Sequence, residues 1–244
     1  LSNAHTLAQL KTINNAISGT ITLNDVDVAL AGSAADIKAA LAGTFAAGYT
    51  GNVTITDANG AGIAATDIST IAGDTAGTVT VQNNINITGT SAAIATAVGV
   101  VDAFSGTPTA TLGNAHTLAQ LATINTAISG QLTLNDYTVA LAGDAADIKA
   151  ALDGTFAAAY TGNVSIDDAN GTSIAAADIS TIAGDTSGTV TVSTNINLTG
   201  TSAAIATAVG DVNTFSGTPT ATLGNAHTIS QLATINTAIS GQLT

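Results

Sequence analysis

The chain has 244 residues, a formal net charge of −13 and only three strong cations, all of them lysines. So few cations cannot neutralise phosphates, which excludes nucleic acid and anionic membrane surfaces as partners. No apolar run approaches the ~20 residues of a membrane-spanning helix, so we expect no membrane insertion. A hydrophobic fraction of 45% nevertheless predicts a folded protein. The absence of cysteine excludes a disulfide framework.

An internal repeat organises the sequence. The tetrapeptide Asn3-Ala4-His5-Thr6 returns twice, and 111 residues separate His5 from His116 and His116 from His227. We therefore predict one continuous repeat array over residues 1–244. Its first copy spans residues 1–111, its second 112–222, and residues 223–244 begin a third. Because the chain stops inside a copy, we expect it to be part of a longer protein.

Each copy divides into four coils, in which an amphipathic alanine-rich helix leads through a glycine to a short alternating strand. The first predicted helix ends at Ser18-Gly19, because glycine is typical of a helix C-terminus. The second begins with a capping-box-like sequence at Ser33, and places Phe45 on its apolar face. The helical parts of coils two to four lead to Gly51, Gly77 and Gly106. The four predicted strands occupy residues 20–23, 53–56, 78–81 and 107–111.

A single coil cannot bury both its helix and its strand, so the coils must stack with their strands in parallel. The predicted fold class is α/β, a right-handed solenoid of helix-strand coils with a parallel β-sheet and four coils per 111-residue repeat. The further β-like segments 26–30 and 85–87 predict a second, narrow sheet. The alternative is a string of globular domains, one per repeat. It is disfavoured because no linker separates the copies.

The three histidines are the first candidates for catalysis or metal binding. Stacked coils rise by ~4.8 Å, so equivalent residues four coils apart lie ~19 Å from one another and cannot share a metal. We expect the histidines to be exposed residues at the start of a helix. No nucleophile elbow, phosphate loop or dinucleotide motif occurs, so we expect no catalytic residue and no enzyme.

Acidic loops are the weak candidates for a metal. Asp-x-Asn-Gly opens many calcium loops, and calcium prefers oxygen ligands. Turn chemistry alone also explains Asp, Asn and Gly in such loops, so we expect no cofactor other than possible calcium. The candidate ligands are Asp25, Asp57, Asn59, Asp136, Asp168 and Asn170.

A row of outward threonines is the candidate binding surface. Because successive strand residues face opposite sides, inward Val53 and Ile55 predict an outward Thr54. The same alternation in other coils predicts one row across successive coils, consisting of Thr22, Thr54, Thr80, Thr109, Thr133, Ser165, Thr191 and Thr220. Such a row resembles the ice-binding faces of antifreeze solenoids.

Two recurring phrases resemble a known class of repeat. The sequence Leu-Ala-Gly-x-Ala-Ala-Asp-Ile-Lys-Ala-Ala-Leu occupies residues 30–41 and 141–152, and Tyr-Thr-Gly-Asn-Val occupies 49–53 and 160–164. They are similar to repeats of giant, adhesin-like extracellular or cell-surface proteins of marine cyanobacterial type. The resemblance covers essentially the whole chain and implies an extracellular or cell-surface location. The resemblance implies no catalytic residue.

The expected function is therefore that of a structural or adhesive extracellular protein that forms a rigid rod, fibre or surface layer. Its expected partners are other copies of itself, or a cell or abiotic surface. One alternative is a solenoid that binds ice or a mineral surface through the threonine row. The other alternative is a string of calcium-stabilised adhesin domains.

Overall fold

The computed structural model describes residues 1–244 as a mixed α/β protein with nine helices and four parallel sheets. The chain divides into two compact units. The first unit contains residues 1–114 and 127–135, and the second contains residues 115–126 and 136–244.

The helices are short and alanine-rich, and most bury one apolar face. Thr6 begins the first helix with a capping box, in which its hydroxyl accepts from the Gln9 N–H while the Gln9 side chain accepts from the Thr6 N–H. Ser33 caps the second helix as expected, accepting from the Asp36 N–H. The helices are α1 (Leu7–Ala16), α2 (Ala34–Leu41), α3 (Ala65–Gly73), α4 (Ser91–Gly99), α5 (Leu118–Ala127), α6 (Ala145–Leu152), α7 (Ala176–Asp185), α8 (Ser202–Asp211) and α9 (Ile229–Ala238).

In the first unit the strands form two sheets of four parallel strands each. The first sheet has the order β1 (Leu30–Gly32), β2 (Val53–Ile55), β4 (Val79–Val81) and β6 (Ala103–Phe104). The second sheet has the order β3 (Gly62–Ala64), β5 (Asn86–Gly89), β7 (Thr109–Leu112) and β8 (Leu132–Thr133). In the same unit α1 packs on α2, α2 on α3, and α3 on α4.

The second unit has the same kinds of layer. One sheet has the order β9 (Leu141–Gly143), β10 (Val164–Ile166), β12 (Val190–Val192) and β14 (Thr214–Phe215). The other has the order β11 (Ser173–Ala175), β13 (Asn197–Gly200) and β15 (Thr220–Leu223). Helices α6 to α9 pack on one another in chain order.

The alternation in the sequence decides which strand residues enter the core. Val53 and Ile55 are buried while Thr54 between them is only half-buried, and β4 repeats this pattern. Ile37, Ile68 and Ile94 provide the helical part of the core with fully buried side chains. The core is therefore built from β-branched and leucine side chains on both the helices and the strands, which suits parallel sheets that are covered by helices.

The first predicted strand is wrong. Residues 20–23 form only an isolated parallel bridge, in which Ile21 pairs with Phe45. Phe45 was expected on the apolar face of a helix, but α2 ends at Leu41 and leaves Phe45 outside it. The first four-stranded sheet instead begins at β1, which overlaps the segment 26–30 that was expected to form a second sheet only at Leu30.

The predicted role of the glycines after the helices is also wrong. Helix α1 ends at Ala16, its C-cap Ile17 is extended, and Gly19 does not adopt a positive φ. Gly51 and Gly77 lie well beyond the ends of α2 and α3. They are needed for close approach between backbones, because a Cβ on Gly51 would lie 2.1 Å from the Val28 carbonyl oxygen and one on Gly77 would lie 2.4 Å from that of Gly51.

Candidate functional site

Two histidines are buried, contrary to the expected exposure. His5 and His116 expose only 5% and 4% of their surface. His5 Nε2 lies 3.3 Å from the Tyr49 hydroxyl, and His116 Nε2 lies 3.2 Å from the Tyr160 hydroxyl. Each histidine precedes a helix, and the covering tyrosine lies 44 residues later in the chain. Sequence periodicity did not predict this contact, although both the histidine and the tyrosine recur in the two copies at the same separation.

The hydrogen-bond pattern defines the tautomer of each histidine. The Tyr49 hydroxyl donates to the Val28 carbonyl at 2.5 Å, so its oxygen must accept from the His5 Nε2–H. Nδ1 of His5 is then the unprotonated ring nitrogen, and it is buried without a hydrogen-bond partner. His116, Tyr160 and Val139 repeat this arrangement, with a distance of 2.6 Å from the hydroxyl to the carbonyl oxygen.

Burial controls the electrostatics of these pairs. Burial lowers the pKa of His5, and the negative charge of Asp25 offsets this only in part. His116 has its pKa lowered by burial in the same way, against the charge of Asp136. Burial together with Asp25 and Asp27 raises the pKa of Tyr49 to about 12. A neutral imidazole thus donates to a neutral phenol, which in turn donates to a backbone carbonyl, and these hydrogen bonds join His5, Tyr49 and Val28 across the chain.

The side-chain oxygen atoms of the predicted calcium loop of the first copy accept hydrogen bonds from the backbone of distant residues. Asp57 Oδ2 accepts from the Ala34 N–H at 2.7 Å, at the start of α2. Asn59 Oδ1 accepts from the Asn84 N–H at 3.0 Å. Gly60 has a φ of 78°, which only glycine adopts without strain. Turn geometry and bonds to the backbone therefore account for the Asp-x-Asn-Gly sequence here.

The second copy repeats these bonds. Asp168 Oδ2 accepts from the Ala145 N–H at 2.8 Å, and Asp168 is 8% exposed. Asn170 Oδ1 accepts from the Asn195 N–H at 2.9 Å. A carboxylate at the first N–H of a helix also interacts favourably with the helix dipole. These side chains therefore stabilise the start of α6 and the loop at Asn195.

The remaining calcium candidates lie in local turns. Asp25 Oδ1 accepts from the Asp27 N–H at 3.2 Å, and Asp136 Oδ1 accepts from the Thr138 N–H at 2.8 Å. No group of three or more histidine, cysteine, aspartate or glutamate side chains is arranged to hold a metal ion. The six candidate ligands are thus distributed over separate turns and loops.

The expected single row of threonines is divided between sheets. Thr54 and Thr80 are neighbours in the first sheet, but the next partner of Thr80 is Ala103 rather than Thr109. Thr109 lies in β7 of the second sheet, opposite Asn86. Thr22 is exposed but belongs to no strand. The expectation was wrong because it assigned strands 53–56 and 107–111 to the same sheet.

The other members of the row are separated in the same way. Thr133 lies in β8, opposite Thr111. In the second unit Ser165 pairs with Thr191 in one sheet, while Thr220 lies opposite Asn197 in the other.

A different threonine column exists on the second sheet of the first unit. Thr88 pairs with Thr111, and Thr111 pairs with Thr133, in three adjacent strands. Asn86 lies beside this column, and its side-chain oxygen is 3.2 Å from the Thr111 hydroxyl. The alternation in Asn86-Ile87-Thr88 and Thr109-Ala110-Thr111 was a visible signal. It was missed because strand pairing, which the sequence does not give, determines which threonines become neighbours.

An open cleft of about 550 Å³ lies in the second unit, bordered by residues 152–160 and 184–187. Its carboxyl group is that of Asp185, whose Oδ2 is buried without a hydrogen-bond partner. Burial, with a smaller contribution from Asp153, raises the pKa of Asp185. The hydroxyl of Tyr160 in the cleft wall already donates to a backbone carbonyl.

The three lysines all bind aspartates on the next helix. Lys11 pairs with Asp36, and Lys38 pairs with Asp67 at 2.5 Å. Lys149 pairs with Asp178 at 2.5 Å in the second unit.

Comparison with known proteins identifies no relative. No protein-family model matches the chain, and no curated protein and no solved structure matches it. None of the helices combines the length and the apolar character needed to cross a bilayer.

Proposed function

We propose that this chain is a structural, adhesive part of an extracellular or cell-surface repeat protein. In this proposal the helices and parallel sheets belong to a right-handed solenoid with four coils per 111-residue repeat. Such an array serves as a rod, a fibre or a surface layer. The adhesin-like character of its repeated phrases agrees with this role.

The observation that carries the proposal is the use of polar side chains between coils. Asp102 and Asn114 accept from backbone N–H groups that lie 23 residues earlier, and Asn84 accepts from one 23 residues later. Asn213, Asn225 and Asn195 repeat these bonds in the second unit. These amide and carboxylate side chains thus bind the backbone of residues that the proposal assigns to neighbouring coils. Repetition then gives the exposed surface many equivalent weak contacts.

Deletion of the repeats from the native protein tests this function. We expect the loss of surface attachment or of filament assembly, measured on whole cells and by electron microscopy of the secreted fraction. A matched control deletes residues 112–222 only, which removes one whole period and preserves the pattern of coils. We expect that control to retain assembly, with an array that is shorter by one repeat. Attachment and assembly that persist without any repeat would exclude the proposed role.

The threonine column on the second sheet favours ice or mineral binding as a second candidate. Thr88, Thr111 and Thr133 present hydroxyl and methyl groups at the strand spacing of ~4.8 Å. A regular spacing of this kind suits a crystalline surface better than a flexible ligand.

The test compares the two sheets. We expect the 244-residue chain to produce thermal hysteresis, or to adsorb to mineral particles. Thr88→Tyr with Thr111→Tyr abolishes that activity, whereas the control pair Thr54→Tyr with Thr80→Tyr, on the first sheet, retains it. Absence of activity in the unsubstituted chain, or equal loss of activity in both variants, excludes the threonine column as the binding surface.

A further inference from the structure

An Asn-Gly dipeptide lies at the tip of the same loop in both copies of the repeat. Asn59-Gly60 lies between β2 and β3, and Asn170-Gly171 lies between β10 and β11. All four residues are exposed to solvent. An asparagine before glycine is prone to form a succinimide, because glycine has no side chain to hinder attack by its own backbone nitrogen. Each loop therefore contains an asparagine that water can convert.

The reaction needs no enzyme and no reactant other than water. The Gly171 nitrogen loses its proton to solvent and attacks the Asn170 Cγ, and the side-chain nitrogen leaves as ammonia after taking up a proton from water. The new C–N bond closes a five-membered succinimide ring. Water then adds to one of the two ring carbonyls and opens the ring, which leaves aspartate or isoaspartate at position 170.

In each folded loop a single distant residue holds the reacting groups. The Gly60 N–H donates to the Asn84 carbonyl at 2.7 Å, and the Asn59 Oδ1 accepts from the Asn84 N–H at 3.0 Å. The second loop makes both bonds to Asn195, at 2.7 and 2.9 Å. A hydrogen-bonded N–H loses its proton slowly, and a fixed side chain cannot turn its Cγ towards that nitrogen. Each site therefore reacts when its loop opens locally.

The two loops differ in the bonds that keep them closed. The Asn83 Nδ2 group donates to the Asp57 carbonyl at 2.7 Å and to the Thr56 carbonyl at 3.3 Å, so this side chain holds the first loop. Thr194 stands at the equivalent position in the second copy, and its hydroxyl is buried without a hydrogen-bond partner. Opening the second loop therefore breaks fewer hydrogen bonds, and it lets water reach a hydroxyl that is unsatisfied while the loop is closed.

We propose that Asn170 is a deamidation site of the folded chain, and that the Asn83 side chain protects Asn59 from the same reaction. The rate of conversion at each asparagine then depends on how often its loop opens. The two copies of the repeat thus age at different rates, although their Asn-Gly dipeptides are identical.

Conversion changes the second loop permanently. The product replaces a neutral amide by a carboxylate, in a chain whose net charge is already −13. The isoaspartate form also inserts an extra carbon atom into the backbone before Gly171, which has a φ of 83° in a turn that the Thr172 N–H closes on the Ala169 carbonyl at 3.0 Å. That turn cannot keep its geometry, so we expect the loop to lose its bonds to Asn195.

Peptide mapping of the folded 244-residue chain tests the proposal. The chain is incubated at mildly alkaline pH and then digested with pepsin in acid, where the reaction is slow. Mass spectrometry measures the conversion at both asparagines, and an isoaspartyl methyltransferase detects the isoaspartate. We expect Asn170 to convert roughly fivefold faster than Asn59, a ratio that corresponds to about 1 kcal/mol and hence to one hydrogen bond. In the chain unfolded by urea we expect nearly equal rates.

Exchanging the two differing residues gives matched variants. Asn83→Thr gives the first loop the residue of the second, and we expect faster conversion at Asn59 with no change at Asn170. Thr194→Asn makes the reverse exchange, and we expect slower conversion at Asn170. The second variant separates protection from misfolding, because a misfolded loop would convert faster rather than more slowly.

Three results would overturn the proposal. Asn170 may stay intact in the folded chain while the unfolded chain converts, the two asparagines may convert at the same rate in the folded chain, or Thr194→Asn may leave the rate at Asn170 unchanged. A faster Asn170 that is slowed by Thr194→Asn supports it. None of these results depends on the structural role proposed above, so the two proposals stand or fall separately.

Discussion

Residues 3–22 and 225–244 have nearly the same sequence but different environments. Both segments contain a capping box and a helix of ten residues. His5 and Leu10 are buried in the first segment, whereas His227 is exposed and Leu232 is half-buried in the last. Local sequence therefore determines the helix and its cap, while the burial of the first segment depends on contacts with Phe45 and Tyr49. The same local sequence thus gives the same helix, and residues far along the chain decide whether its side chains are buried.

The largest expected effect comes from the matched leucines. Leu10→Ala leaves a cavity in the covered segment, and we expect the free energy of unfolding to decrease by about 2–5 kcal/mol. Leu232→Ala removes a half-buried side chain from the uncovered segment, and we expect less than half of that decrease. Urea titration followed by circular dichroism, with hydrogen exchange to locate the change, measures both. Equal decreases would contradict the difference in covering.

The close backbone approach at Gly51 should be nearly as sensitive. The Cβ of Gly51→Ala would lie 2.1 Å from the Val28 carbonyl oxygen and 2.9 Å from the Tyr49 ring. We expect a loss of about 1–3 kcal/mol, typical of overpacking. The control is Gly48→Ala, since Gly48 has open space around its Cβ position and the second copy already has Ala159 there. A Gly51→Ala variant as stable as that control would mean that the Tyr49 contact tolerates displacement.

An intermediate effect is expected from pH. Burial lowers the pKa of His5 and His116 from the model-compound value of 6.5, so the unfolded chain binds more protons at mildly acidic pH. The stabilisation is complete above pH 6.5 and is lost as the pH decreases through the pKa of the folded state. We expect the free energy of unfolding to decrease as the pH is lowered from about 7 to about 5, before most carboxylates protonate.

The double variant His5→Gln with His116→Gln should flatten that pH dependence, because glutamine does not titrate. Urea titrations at a series of pH values measure the slope. His227→Gln is the matched control in the uncovered segment, and it should leave the slope of the parent chain largely intact. A slope that survives in the double variant would assign the effect to the carboxylates.

The smallest effect is expected from the ion pair that the second copy lacks. Lys11 and Asp36 keep 39% and 44% of their side chains exposed, so solvent screens the attraction between them. Lys11→Ala introduces the residue that the second copy has at the equivalent position 122. We expect the free energy of unfolding to decrease by less than about 1 kcal/mol, and by less still in high salt. A larger loss that is independent of salt would instead indicate packing by the lysine stem.

Much of the fold was predictable from local patterns. The alternation in Val53-Thr54-Ile55 and Val79-Thr80-Val81 correctly predicts which side chains enter the core, since strand residues alternate between two faces. Ser33 correctly marks the start of α2. The helix ends were less predictable, because Gly51 and Gly77 serve the approach of neighbouring backbones rather than helix termination.

The candidate site was predictable in composition but not in arrangement. The sequence identified the threonines, aspartates and asparagines as the residues of interest. It placed Thr80 and Thr109 in one row, whereas strand pairing puts them in different sheets and makes Thr88, Thr111 and Thr133 neighbours. The partners of Asp57 and Asn59 also lie 23 and 25 residues away along the chain, at separations that no local pattern specifies.

The sequence by itself determined the repeat, the start of α2 and the inward face of the strands at 53–55 and 79–81. These features depend on residues within about one turn of helix or a few strand positions, where propensity and periodicity act. The tertiary structure alone decided which strands pair, why Gly51 must be glycine and whether a histidine is buried. Those features require contacts between residues about 20 to 45 positions apart, such as His5 and Tyr49, and only the packing of helices and parallel strands in the folded chain brings such residues together.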